Sequence, residues 1–336
     1  MRQIRQSALL VIALLCAGAA CASDLQVRIG YLAHLPPRGP LLSNVIPEPL
    51  DAGRRGAELA IADSNSTGRF LKQGYSLESV EHEDADELLA AAQRQHQAGI
   101  RLFVVNAPAT TLRQLSQRLP DSLLLNAGSA DDGLRREQCL GNVLHTLPSR
   151  AMLADALAQF LAVRKWTRWL LVTGSTEDDI AYADALKRAA KRFGHKIVAE
   201  KPWSFDNDQR RSAQAEMPLF TQASEYDVVL VADERGDFGE YLPYNTWLPR
   251  PVAGTQGLTP TAWHKTVETF GAAQLQKRFE ELAGRWMNDR DFAAWMAVRS
   301  LATAVTKLRA ADPQAIRHLL LNEQLPLDGF KGRKLS

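Results

Sequence analysis

The sequence predicts an α/β fold built from two Rossmann-like lobes. Three observations carry that expectation. Residues 26–84 spell out strand, long loop, helix and strand, and the same alternation restarts after Pro148. A chain of 336 residues also exceeds what one small core organises, so two compact lobes are the default.

The opening unit starts with Val27-Arg28-Ile29-Gly30-Tyr31-Leu32, an apolar run as short and bounded as a buried strand. Leu35-Pro36-Pro37-Arg38-Gly39-Pro40 cannot form an element interior and reads as a loop at the strand's carboxyl end. Residues 53–65 have helical spacing, with Ala57, Ala60 and Ile61 on one face and Gly68 placed as the stop. Tyr75 to Val80 restores alternation, and the polar Glu81-His82-Glu83-Asp84 closes it. Such βαβ units take ligands beyond the carboxyl ends of their strands.

Apolar residues make up 46 % of the chain and charged residues 23 %, the proportions of an ordinary soluble globular protein. Met1 to Arg5 and the apolar Leu9 to Ala20 read as a basic n-region and a short h-region, too short for a comfortable membrane span. Ala20-Cys21-Ala22 supplies a small-x-small cleavage pattern, so residues 1–22 are expected to be a signal peptide and the mature chain periplasmic. The competing reading is a lipoprotein beginning at Cys21; Gly18 stands where such a signal wants Leu, which favours the soluble form. The formal charge of +2 contains Arg2 and Arg5 of the leader, so the mature chain is near neutral. Nothing there favours nucleic acid or an anionic membrane surface. With Cys16 and Cys21 in the leader, Cys139 is the remaining thiol, expected to be half-buried and inert.

Along the rest of the chain, residues 86–97 are helical, and the acidic run Glu81 to Glu87 reads as strand-end and first-turn carboxylates rather than a metal cluster. Leu102 to Val105 is the next strand. Asn106-Ala107-Pro108-Ala109-Thr110-Thr111 then turns into a helix, and small and hydroxyl residues there suit an anion or plain N-capping about equally. Leu123 to Leu125 leads into a second polar loop, Asn126 to Gly133, containing Gly128, Ser129, Ala130 and Asp131. Two such loops on neighbouring strands face one crevice, which raises the binding reading. After Pro148 come a helix, the strand Trp169 to Val172 and its loop with Ser175, Asp178 and Asp179. The strand Asp227 to Ala232 and its loop Asp233-Glu234-Arg235-Gly236-Asp237 follow, then the glycine-rich Val252 to Gly257 around Gln256. Two amphipathic helices have aromatic stripes of core type (Phe270 to Leu282; Phe292 to Leu308), and Asp312-Pro313 caps a last short helix.

No linear catalytic signature is present. There is no Gly-x-Ser-x-Gly elbow, His-Glu-x-x-His pair or Gly-Lys-Ser/Thr phosphate loop, and the seven histidines are scattered without metal-ligand spacing. The loop at 233–237 lacks the alternating carboxylates of a calcium site. No enzyme activity, cofactor or metal is therefore expected.

The helix Gly56-Ala57-Glu58-Leu59-Ala60 through Asn65 and Gly68, between two strands, resembles the opening of the type I periplasmic solute-binding proteins of the leucine/isoleucine/valine-binding kind. Asn142 to Ser149 resembles that family's first crossing, and Leu327-Asp328-Gly329-Phe330-Lys331-Gly332 its late crossing. Ala189 to Gly194, Asp208-Gln209-Arg210-Arg211 and Asp291 to Arg299 resemble the subgroup found alongside pyrroloquinoline-quinone-dependent alcohol oxidation. The resemblance implies two Rossmann-like lobes joined by three crossovers, with lobe 1 over residues 23–147 and 262–326. It places 148–261 and 327–336 in lobe 2, which is expected to lack its last strand.

The resemblance further implies that Ala107, Thr110, Thr111, Gly128, Ser129 and Ala130 hold a ligand carboxylate through hydroxyls and amides. It calls for an aromatic residue near Asp179 or Ile180 and an acid near Gln256. This sequence has neither there, and Asp131, Asp178, Asp233 and Glu234 are the acids able to substitute. The implied role is capture of a small polar solute, amino-acid-like or an organic acid, by a monomer that closes about hinges near Pro148, Gly254 and Gly257. The implied partner is an inner-membrane ABC permease. A periplasmic sensor reporting to a signalling partner is the alternative of another class, and a cleft hydrolase the third.

Overall fold

The computed structural model describes residues 24–35, 48–203, 216–322, 325–332 and 334–335. Residues 1–23 with Cys16 and Cys21, residues 36–47 and Asp208 to Arg211 lie outside them.

The first sheet has five parallel strands, β1 (Leu25–His34), β2 (Gln73–His82), β3 (Leu102–Asn106), β4 (Leu123–Asn126) and β5 (Val143–His145), in the order β2-β1-β3-β4-β5. The second has β6 (Arg168–Thr173), β7 (Lys196–Pro202), β8 (Val228–Ala232) and β9 (Val252–Gly254), in the order β7-β6-β8-β9, also parallel. β3, β4 and β8 read as unbroken apolar runs because both faces of each sheet are covered. The strand order reverses between β1 and β3, and again between β6 and β8. A ligand crevice opens at such switch points, outside the carboxyl ends.

Helices α1 (Arg54–Leu71), α2 (Ala85–Gln97) and α3 (Ala109–Arg118) belong to the first sheet. Helices α4 (Arg150–Val163) and α5 (Glu177–Phe193) cover one face of the second. The chain then returns. Helices α6 (Ala272–Ala283), α7 (Asp289–Leu308) and α8 (Pro313–Leu321) pack with α1 into the largest apolar cluster, on the first sheet. Most of α7 is buried, which explains its aromatic content.

Local chemistry sets the ends. Asp84 accepts the Glu87 amide at the start of α2, with Asp86 and Glu87 in the first turn. Asn288 and Asp291 form a capping box on α7, and Asp312 caps α8 ahead of Pro313. No described helix is long and apolar enough to cross a membrane.

Three expectations are corrected. Gly68 does not stop α1; the helix runs on to Leu71 and ends on the left-handed Lys72. Gly68 is there because a Cβ would strike the Gln73 carbonyl, so its smallness serves close packing. Residues 327–335 do not join the second lobe. Their hairpin, β10 (Leu327–Asp328) with β11 (Lys334–Leu335), packs Leu327, Phe330 and Leu335 against the first lobe's core, where Phe330 meets Trp295 with ring centroids 5.6 Å apart. Cys139 is exposed, not half-buried.

Candidate functional site

The loops leaving the carboxyl ends of β3, β4, β6, β8 and β9 hold the candidate residues. After β3, Asn106 and Ala107 are buried and Pro108 is the N-cap of α3, giving it no side-chain acceptor. The first-turn amides of α3 consequently lack an intrahelical partner, the feature an anion uses at a helix start. Thr110 is exposed there, whereas Thr111 is buried with its hydroxyl 2.8 Å from His34 Nδ1.

After β4 the loop folds around Asn126, which is wholly buried. Its Oδ1 accepts the Gly128 amide at 3.1 Å and the Ser129 amide at 2.9 Å, and its Nδ2 donates to the Ser129 carbonyl at 2.8 Å. The two amides expected to meet a ligand carboxylate are thus engaged by a side chain of their own loop. Gly128 has a second constraint, since a Cβ there would lie 2.5 Å from the Ala107 nitrogen. The β3 and β4 loops are therefore in contact. Asp131 accepts the Gly133 amide at 2.7 Å, tying down the same loop.

His145 follows on β5, with Asn126 Nδ2 2.9 Å from its Nδ1. Burial, then the nearby Arg135 charge, lower its pKa to about 4, so the ring is neutral at pH 7.

In the second lobe, Thr176 and Asp179 form the capping box of α5, and Asp179 also accepts the Glu234 amide at 2.7 Å. Asp233 is buried and accepts the amides of Asp237, Phe238 and Gly239 at 2.9, 2.9 and 2.7 Å. Burial nonetheless raises its pKa. Both carboxylates build the loop from within. Gln256 is half-buried with its side chain packed toward Gly239, and Ser175 is exposed.

Between these loops sits a residue that sequence reasoning missed. Arg150, 8 % exposed, forks onto both carboxylate oxygens of Glu234 at 2.7 and 2.6 Å and reaches Asp178 at 2.6 Å. Burial alone would lower its pKa, but Glu234 and then Asp178 raise it, so the guanidinium stays charged. Glu234 is shifted upward all the same, because burial and the acids Asp178 and Asp179 outweigh Arg150. One signal was available: a cation in a helix's first turn opposes the dipole, which marks it for another use. The Arg150 amide also donates to the Ala130 carbonyl at 2.9 Å, and Asp132 takes the Ala151 amide at 2.9 Å and Arg188 at 2.8 Å. These bonds join the β4 loop to the second lobe.

The structure thus gathers Ala107, Thr111, Gly128 and Ser129 on one side and Asp178, Asp179, Asp233, Glu234 and Gln256 on the other, with Ala130 and Arg150 at the seam. Chemically this offers helix-start amides and hydroxyls in one lobe and, in the other, an acid-rich cluster organised by one arginine.

A family model described as periplasmic binding protein matches residues 45–242. Comparison with curated protein sequences gives no match. Among solved structures, a branched-chain amino acid ABC transporter periplasmic ligand-binding protein from Burkholderia xenovorans is similar at TM-score 0.71 and 16 % identity, over 90 % of this chain and 84 % of that one. The LivJ substrate-binding protein from Streptococcus pneumoniae, in complex with isoleucine, is similar at TM-score 0.68 and 13 % identity, over 92 % and 91 %. An ABC transporter substrate-binding protein from Desulfitobacterium hafniense, in complex with Leu, is similar at TM-score 0.65 and 17 % identity, over 88 % and 89 %. At these identities the likeness is one of fold.

Proposed function

This chain belongs to the periplasmic binding protein family, and on that premise we propose that it captures a small polar solute between its two lobes for an ABC importer. The reading takes residues 24–147 and 262–335 as one lobe and 148–261 as the other. What supports it most is the pair of parallel sheets of matching strand order, with the β4 loop of the first bonded to the start of α4 and Arg150 there bonded to the β8 loop of the second. The solved neighbours are named as binding proteins of ABC transporters, two of them holding a branched-chain amino acid.

The contacts proposed for the solute are Thr110 and the first-turn amides of α3 on one side, with Ser175, Asp178, Glu234 and Gln256 on the other. The remaining candidates, Ala107, Thr111, Gly128, Ser129, Ala130, Asp131, Asp179 and Asp233, shape these loops. Arg150 partly neutralises the acids expected to meet an ammonium group, which favours an organic acid or amino-acid-like solute over a simple cation. The motifs at 189–194 and 291–299 support a place beside quinone-dependent alcohol oxidation, so products of that oxidation head the panel. Secretion through a cleaved leader, a monomeric state and an inner-membrane permease partner complete the reading.

Thermal-shift screening against organic acids, amino acids, alcohol-oxidation products and metal ions tests it. At a hundredfold excess over Kd a true ligand adds about 2.7 kcal/mol of stability. The solute must be recovered unchanged. Its consumption would point to the hydrolase, and binding without an effect of gene deletion on uptake would point to the sensor.

A further inference from the structure

A cavity of about 370 Å³ lies in the first lobe, among α1, α6, α7 and the segment at 326–330, and shares no residue with the crevice loops. Its volume is that of a small-molecule site. Trp295 and Phe330 form part of the wall, their rings tilted 46° to each other.

The polar lining is lopsided in what it leaves available. Asp63 accepts a forked pair of bonds from Arg278, both 3.2 Å, and a third from Trp295 Nε1 at 3.1 Å. Asp328 accepts the Phe330 amide at 3.1 Å and Lys334 at 3.1 Å. Both acids are thus already served. Arg299, half-buried at the same wall, gives one hydrogen bond, from Nη1 to Ser64 Oγ at 3.1 Å, among the described residues. A guanidinium carries five N–H donors in a plane, so most of those on Arg299 are not taken by a described protein acceptor. Charge agrees with donor count. Arg278 is paired with Asp63, and Asp328 is shared between Arg299 in the wall and the exposed Lys334 at its edge, so Arg299 is only partly matched.

We propose that this cavity is a second binding site, for a small monocarboxylate with a flat apolar body, whose carboxylate pairs with Arg299 while its body lies along Trp295 and Phe330. Dicarboxylates are disfavoured because Asp63 and Asp328 flank the arginines. Neutral analogues are disfavoured because they leave the Arg299 charge only partly matched. The inference is independent of the crevice and of the solute bound there.

The test is titration of the full chain with phenylacetate, followed by calorimetry and by ligand-observed NMR. One-site binding is expected, weakened at least tenfold for phenylacetamide and at least tenfold in Arg299→Gln. Thr303→Phe, which fills the cavity from α7, should abolish it, and the crevice variant Asp178→Asn should bind phenylacetate as the parent does. Circular dichroism melts of each variant separate lost binding from lost folding, and Arg299→Lys, keeping the charge, should retain part of the affinity. Absence of binding to the parent chain, equal binding of the amide, or loss in Asp178→Asn with retention in folded Arg299→Gln would overturn the proposal.

Discussion

Arg150 joins Glu234 and Asp178 from a position next to the first interlobe crossing, so truncating it affects both folding and the crevice. Removing one member of a buried pair leaves its partners desolvated and unmatched. Arg150→Met is therefore expected to lose about 3 kcal/mol in urea denaturation, with Arg150→Lys losing less. His145 makes a pH prediction. An unfolded histidine takes its proton near pH 6.5, roughly the ordinary value, while the folded ring takes it only near 4. Between those values the unfolded chain binds more protons, so His145 withdraws stability as pH falls from 6.5 toward 4 and is without effect above. His145→Gln should flatten that part of a stability–pH profile; an unchanged slope would refute it. At this scale the sequence was least legible. Loops 106–111 and 126–133 could be picked out by their small polar residues. Which amides Asn126 takes, or which carboxylates Arg150 gathers, depends on loop conformation that no spacing encodes.

The contact between α1 and α7 is set by Gly56, where a Cβ would overlap the Asp291 carbonyl. Asp291 is fully buried beside it, accepting the Gly53 amide at 2.8 Å and pairing with Arg285 at 2.6 Å. Gly56→Ala must push the two helices apart and should cost about 3 kcal/mol, the upper end of overpacking penalties, read from a denaturation midpoint. Asn288→Ala, removing half of the α7 capping box, should cost about 1 kcal/mol by the same measurement. Elements were the most legible level, because buried parallel strands are unbroken apolar runs and caps have few chemistries. The errors share one cause. Packing decides both places where local spacing and resemblance point elsewhere: Gln73 and Tyr75, just across the turn into β2, fix the glycine, and Trp295 of α7 fixes the hairpin. Phe270 likewise falls outside α6, exposed and left-handed, although its spacing fits the helical stripe.

At the scale of the whole molecule, the proposed closing motion has a measurable counterpart. Asp132, holding both the Ala151 amide and Arg188, is one of the bonds an opening would break. Asp132→Ala is expected to enlarge the ligand-free radius of gyration in small-angle scattering, with ligand restoring the compact value; identical curves for parent and variant would count against a hinge. Gly254 and Gly257 both have positive φ and press on backbone of β8 and β9, so their immediate reason is close approach rather than swing. The two lobes also differ in how sequence supplies them. The second sheet with α4 and α5 is drawn from one uninterrupted stretch, whereas the first sheet waits for α6, α7 and α8 to be covered. A growing chain halted at residue 261 would hold everything its later-made portion requires, while its earlier-made portion still exposed greasy β-structure. Order of synthesis and order of completion are thereby inverted, and it is the first-born half that a chaperone would have to guard longest.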